Sequence, residues 1–418
     1  MKLRISFLLA IACMLMLFTQ GQQKPDVIPL NPKIKTGKLA NGLKYFILQN
    51  NKPENKVELR LAVNAGSIQE DNDQQGLAHF MEHMNFNGLK HFPHNEIVHY
   101  LQSAGVKFGA DLNAYTSFEE TVYMLPISTT DKDIVDKGFT ILADWSHDAL
   151  LDKEEIDKER GVVLEESRIG KGADDRMMKK YLPSLLNGSV YANRLPIGKD
   201  EILKNFKYEV VKRFHKDWYR PNNEAVIVVG DMDVNEVERL IKEKFSGFKN
   251  PTPARPRGGI TNLPPRKMSK AMVVSDKEAS YTSIQIYGNS IRAKEQSTSD
   301  GYRHGIIKSL FNNMLAQRLD ELKNSSTPPF VFGAANVGGG WVRGWEAFSA
   351  FAICGTKQIK DAVEALVRES MRVKKFGYTA TELERAKADL LSEYESMYNE
   401  KDKTESGSLV NELVRHYL

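Results

Sequence analysis

The stretch GLAHFMEHMNFNG, residues 76–88, holds His79, Glu82 and His83 within five positions. On an α-helix, residues i and i+4 share a face, so both imidazoles can point at one ion. Glu82 projects beside them, close enough to reach a water next to that ion. A catalytic Zn²⁺ takes three protein ligands and leaves a position open, so a third ligand must come from elsewhere. The stretch KERGVVLEESR, residues 158–168, offers Glu159 and Glu166, seven residues and about two turns apart and so on one helix face. Ile156, Val162 and Val163 give that helix an apolar side, where a carboxylate is costly unless paired or metal-bound. The bland reading is an amphipathic surface helix for the histidines and a solvated charged face for the glutamates.

Other motifs carry less. His91, His94 and His99 sit in HFPHNEIVHY, where Pro93 interrupts helical spacing, so they read as loop histidines. The run GGGW, residues 338–341, lacks the Lys-Ser/Thr and the following helix of a phosphate loop and reads as a strand-linking turn. Arg160 and Arg168 read as surface ion-pairing groups.

The elements around the motifs alternate in blocks. TGKLANGLKYFILQN and KVELRLAVNAGS read as strands, the second alternating so that one face is buried. The histidine helix follows, capped by one of Asp71, Asn72 or Asp73 and stopped by Gly88. Then come a short helix HNEIVHYLQSAG, strand segments within KFGADLNAYTSFEETVYMLPI, and a helix in TDKDIVDKGFTILADWSHDAL. The charged helix starts at Asp152, with Glu155 three residues on as a capping arrangement. NEAVIVVGDMD reads as a buried strand and VNEVERLIKEKFSGF as a helix. Past a Pro/Gly/cation-rich linker, 249–260, the plan restarts: strands KAMVVSD and YTSIQIYG, a long helix, strand GWEAFSAFAICG, and helix IKDAVEALVRESMRVKKFG. The fold class expected is α+β, two similar αβ sandwiches, each a mainly antiparallel sheet packed with helices, over residues 30–248 and 261–418.

The 418 residues are 41% hydrophobic and 27% charged, enough for two folded domains. A net charge of +4, with Lys2 and Arg4 in the N-terminal segment, carries no nucleic-acid footprint. MKLRISFLLAIACMLMLFTQG, residues 1–21, has the cations, the apolar run and the small residue of a signal peptide. No later segment has the length and apolarity of a membrane span. Removal of that segment leaves Cys354 alone, so no intrachain disulfide forms, and it reads as a small buried strand residue.

HFMEH, NAYTSFEETVY and ERGVVLEE, in that order, resemble the insulinase and pitrilysin family of zinc peptidases, the inverzincins, whose HxxEH reverses the thermolysin-type motif. The resemblance covers residues 35–250 well and the rest weakly. It implies Zn²⁺ held by His79, His83 and Glu166, Glu82 as general base, and Glu159 as a carboxylate supporting the site. His83 and Glu166 are 83 positions apart, several more than in compact members, and Glu159 or Glu165 in the ligand place would leave the chemistry unaltered. The resemblance also implies a peptide substrate added as a strand along NAYTS, with Asn113 beside the scissile bond and Ala114 lending backbone groups.

The ending GSLVNELVRHYL stops within an apolar period, so the chain looks like the zinc-bearing N-terminal half of a long member. Such a half binds zinc and cleaves weakly until a homologous second half or partner subunit closes the chamber. The expected activity is an exported zinc metalloendopeptidase, periplasmic or secreted. One rival is a non-catalytic relative that binds peptides or acts as a scaffold, which would need no Glu82. Another is a zinc carrier, which nine histidines without a His/Asp-rich tract argue against.

Overall fold

A computed structural model describes residues 26–103, 113–258 and 263–418. The expected signal segment and residues 104–112 lie outside the described residues. The first unit begins with β1 (Lys35–Lys38), β2 (Lys44–Gln49) and β3 (Lys56–Val63). Next come α1 (Leu77–Met84), α2 (Glu96–Ser103), β4 (Asn113–Thr116) and β5 (Thr121–Ser128). Helices α3 (Lys132–His147), α4 (Lys153–Gly170), α5 (Ala173–Leu185), α6 (Asp200–Asn205) and α7 (Tyr208–Trp218) lead to β6 (Glu224–Gly230) and α8 (Val234–Phe245). The second unit has β7 (Thr282–Tyr287), β8 (Ile291–Arg292), α9 (Ser299–Lys323), β9 (Phe332–Gly339) and β10 (Trp345–Cys354). It continues with α10 (Ile359–Phe376), α11 (Ala380–Glu400) and α12 (Ser406–Tyr417).

The first sheet runs β1-β2-β6-β3-β5-β4, antiparallel except for β2 with β6. In the second, β10 is central, with β7 and β8 on one side and β9 on the other, all antiparallel. This is the expected α+β class with two sheet-bearing units. The glycine run closes β9 and turns toward β10, as read, and Cys354 ends β10 buried.

Several local expectations change. The alternation in β3 implied one buried face, yet Arg60 and Ala62 are buried too. The reason is α12, whose Val410, Leu413 and Val414 pack on Phe46, Ala62 and Ile227 across the sheet's other face. Buried Arg60 pairs with Glu58 at 2.7 Å and donates to the Leu59 carbonyl. Asp152 stands at the start of α4, but its side chain makes no capping bond. Arg160 makes the expected ion pair, with Asp157 at 3.0 Å, but is half-buried: it also donates to the Leu203 and Phe206 carbonyls and lies over the Phe206 ring. The described part of the linker is a strap, with Arg255 bonded to Asp71 and Asp217 and Arg257 to the Asn64 carbonyl. Residues 270–276, KAMVVSD, form no strand.

Glu224 opens β6 fully buried, with Ser146 Oγ donating to Oε2 at 2.5 Å and Oε1 unpartnered. Burial raises its carboxyl to about 8, outweighing the Ser146 hydrogen bond and the Arg220 charge. The native state therefore holds a proton that the unfolded chain releases near 4.5. Its contribution is fully favourable below that value and is lost as pH rises through the folded pKa. The wild type should lose up to about 1.4 kcal/mol per pH unit across this window relative to Glu224→Gln. Urea unfolding of both proteins from pH 5 to 8 checks this, and parallel profiles would refute it.

Candidate metal centre

The histidine motif folds as α1 because Leu77, Ala78, Phe80, Met81 and Met84 bury one side against the core while His79 and His83 stay partly accessible. The expected cap at Asp71–Asp73 is absent. Gly76 occupies the N-cap at φ +104, and Glu70 Oε1 accepts the Gly76 and Ala78 N–H groups at 2.9 Å each. A buried carboxylate thus satisfies donors that the helix start leaves open. Gly198 packs on this turn so closely that a Cβ there would lie 2.2 Å from Gly76 Cα. The helix ends at Met84, before the expected stop at Gly88.

α4 lies against α1 and brings its acidic face to the histidines. His79 Nε2 and His83 Nε2 are 3.3 Å apart. Glu166 Oε1 lies 3.7 Å from the first and Oε2 3.3 Å from the second. One donor atom from each residue falls within 4.8 Å of the others. Two tetrahedral ligand atoms at 2.0–2.1 Å from zinc are separated by about 3.3 Å, so this N, N, O set fits that ion. Behind His83, Glu159 Oε1 meets Nδ1 at 2.7 Å, and Asn87 Nδ2 donates to Glu159 Oε2 at 2.6 Å. A proton on Nδ1 toward Glu159 leaves the Nε2 lone pair facing Glu166.

Glu82 is buried beside this set, and Thr116 Oγ1 donates to its Oε2 at 2.5 Å. Burial raises the Glu82 carboxyl, opposed by that hydrogen bond. Burial, reinforced by the His83 charge, lowers His79 to about 4, which keeps it neutral as a ligand must be. Burial pulls His83 down as well, but the Glu159 hydrogen bond and charge outweigh it and raise the pKa. Three carboxylates around two imidazoles thus call for a positive charge, which a dication can supply.

His79, Glu82, His83, Glu159 and Glu166 therefore converge. Glu165 turns away to Arg168, at 2.6 and 2.8 Å, and does not share the cluster. Asn113 and Ala114 lie on β4, the sheet's edge strand. The Ser117 N–H to Glu120 carbonyl bond sets the ladder so that the Ala114 and Thr116 peptide groups face away from β5. Asn113 Oδ1 accepts the Ala114 N–H at 2.8 Å. Of the second histidine group, His91 bonds Asp144 and His94 bonds Glu155, while His99 lies on α2 rather than in a loop.

Sequence reasoning overlooked three supports. Thr116 was visible two residues past Ala114 on one strand face, and Asn87 lies at i+4 from His83. Glu70 had no periodic signal, because it precedes α1 in irregular chain.

A profile described as Insulinase (Peptidase family M16) matches residues 45–192, and one described as Peptidase M16 inactive domain matches residues 205–390. The probable zinc protease PqqL of Escherichia coli is 32% identical over 399 residues, covering 93% of this chain and 41% of that protein. Its Haemophilus influenzae namesake is 36% identical over 297 residues, 70% of this chain and 32% of that one. The chain thus spans about two fifths or less of these relatives. The crystal structure of the first half of the periplasmic protease PqqL from E. coli superposes with a TM-score of 0.84 at 29% identity, covering 93% of this chain and 82% of that one. Pitrilysin shares the fold, with a TM-score of 0.62 at 17% identity over 86% of this chain and 38% of that one.

Proposed function

The chain belongs to the insulinase peptidase family, M16, and from that premise we propose that it hydrolyses peptide bonds in peptides or unfolded segments as a zinc metalloendopeptidase. The carrying observation is the buried Glu82 carboxylate beside the His79, His83 and Glu166 donors. Those three hold the metal in this reading. When bound, zinc supplies a Lewis acid for the scissile carbonyl and lowers the pKa of water.

The chain's own groups do the rest. Glu82 takes a proton from the attacking water on its free carboxylate oxygen and returns it to the leaving nitrogen. Thr116 holds the other oxygen and keeps the carboxylate aimed. Glu159, itself held by Asn87, orients His83. The outward peptide groups of Ala114 and Thr116 on β4 receive the substrate as an added strand, with Asn113 beside the scissile bond. A homologous second half or partner subunit excludes water from the cleft, and the working compartment is the periplasm or beyond, as the name of the E. coli relative suggests.

The test is zinc content by elemental analysis, run with cleavage of a quenched-fluorescent peptide on the same sample. One zinc per chain is expected, with cleavage stopped by a chelator and restored by zinc. Zinc without cleavage, and no gain from a supplied homologous half, would leave a peptide-binding scaffold. Absence of zinc would refute the site.

A further inference from the structure

Two hairpins meet where the units join. In the first unit β4 and β5 are linked by residues 117–120, and in the second β9 and β10 by residues 340–344, the latter closed by Gly344 at φ +71. Phe118 of the first turn and Val342 of the second pack into one apolar cluster with Tyr191 and Trp345, Phe118 meeting the Tyr191 ring edge-on at 5.4 Å. Charge joins the two turns as well. Arg343 Nε lies 3.0 Å from Glu119 Oε2, Nη2 pairs with Glu120 Oε2, and Nη1 donates to the Leu418 carbonyl at 2.8 Å. Glu119 is buried, and its other oxygen accepts from the Tyr191 hydroxyl. One guanidinium of the second unit thus spans two adjacent carboxylates of the first, a task suited to its planar fork.

The first turn bears directly on the candidate centre. Thr116 and Thr121 are the strand pair that flanks it, and Thr116 Oγ1 is the donor to Glu82 at 2.5 Å. The Ser117 and Phe118 carbonyls accept the Ser67 and Ile68 N–H groups at 3.1 and 2.9 Å, so the entry to the turn is held by its own unit. The acidic tip is not: among the described residues no cation other than Arg343 forms an ion pair with Glu119 or Glu120. Without Arg343, a buried carboxylate and a partly buried one would stand side by side uncompensated, and the turn would shift to hydrate them. Slack there reaches Thr116, next to the turn, before Asn113 and Ala114 farther along the ladder.

We propose that Arg343 is a positioning residue for the reaction: from the second unit it fixes the β4–β5 turn and thereby holds Thr116 against Glu82. The proposal rests on the peptidase reading given above. It makes the second unit, which supplies no donor to the metal cluster, part of what aims the proposed general base.

The test is Arg343→Gln in the full chain, followed by hydrogen exchange, zinc content and steady-state cleavage. The Tyr115 and Ser117 amides point into the ladder with β5 and should exchange about tenfold faster in the variant, while β2 and β6 are unchanged. Zinc should be retained, with kcat lowered about tenfold and KM within about twofold, because a catalytic group is misaligned and the binding edge is not. In a Thr116→Val background the same substitution should lower kcat by less than about twofold more, since the link it acts through is already cut. Arg318→Gln, which breaks an ion pair with Glu382 and whose partners Gly377 and Tyr378 also lie in the second unit, should change neither readout. Glu120→Gln, at a more accessible position, should act in the same direction by about threefold and carries the test if Arg343→Gln does not fold. Unchanged exchange at Tyr115 and Ser117 would overturn the proposal, as would losses that multiply in the double variant or an equal loss from Arg318→Gln. A wild type that cleaves nothing would refute the peptidase reading instead, and exchange alone would then decide whether Arg343 holds the turn.

Discussion

Glu82→Gln should keep one zinc per chain and lower peptide cleavage by about 10²- to 10⁴-fold, the range a positioned general base contributes. The substitution is nearly isosteric and its amide oxygen can still accept from Thr116, which stands 2.5 Å from the carboxylate in the wild type. Fold and the proposed metal ligands are therefore retained, and only the proposed proton acceptor is lost. Thr116→Val, which removes the hydrogen bond and keeps the shape, should fall between, at about tenfold. Elemental analysis and steady-state cleavage on the same samples check both. Unchanged cleavage in Glu82→Gln would remove the base from the mechanism, and lost zinc would make Glu82 a ligand instead.

His83→Ala should abolish stoichiometric zinc binding. It removes one nitrogen of the donor set and also the group that Glu159 meets at 2.7 Å and Glu166 at 3.3 Å. Buried Glu159 is then left with Asn87 as its hydrogen-bond partner and without the imidazole, and a buried carboxylate is costly when it loses a partner, while Glu166 is half exposed. Glu159→Ala should be milder, weakening zinc affinity by about 10- to 100-fold, because in the proposed site it supports His83 without holding the metal. Competition with a chromogenic chelator measures both. If Glu159→Ala removes zinc as fully as His83→Ala does, Glu159 is itself the ligand, the alternative that residue spacing left open.

The supports the sequence did not advertise have one thing in common. Thr116, Asn87 and Glu70 act through single contacts between elements, and one contact leaves no periodicity to read. Arg160 looked like a surface cation for the same reason: its charge was legible, but the Leu203 and Phe206 carbonyls that receive it come from more than forty positions away.

The sequence by itself determined the helical spacing of His79, Glu82 and His83, the two-turn offset of Glu159 from Glu166, and the order of most strands and helices. These are local, because side-chain period and backbone geometry are set within a few residues. Tertiary structure alone decided which glutamate faces the imidazole nitrogens and which backs His83, since that depends on how α4 lies against α1 across some eighty positions of chain. It also decided that β3 is covered on both faces, because the cover is α12 from the other unit. And it decided that KAMVVSD stays unpaired, because a strand exists only with a neighbour to complete its hydrogen bonds.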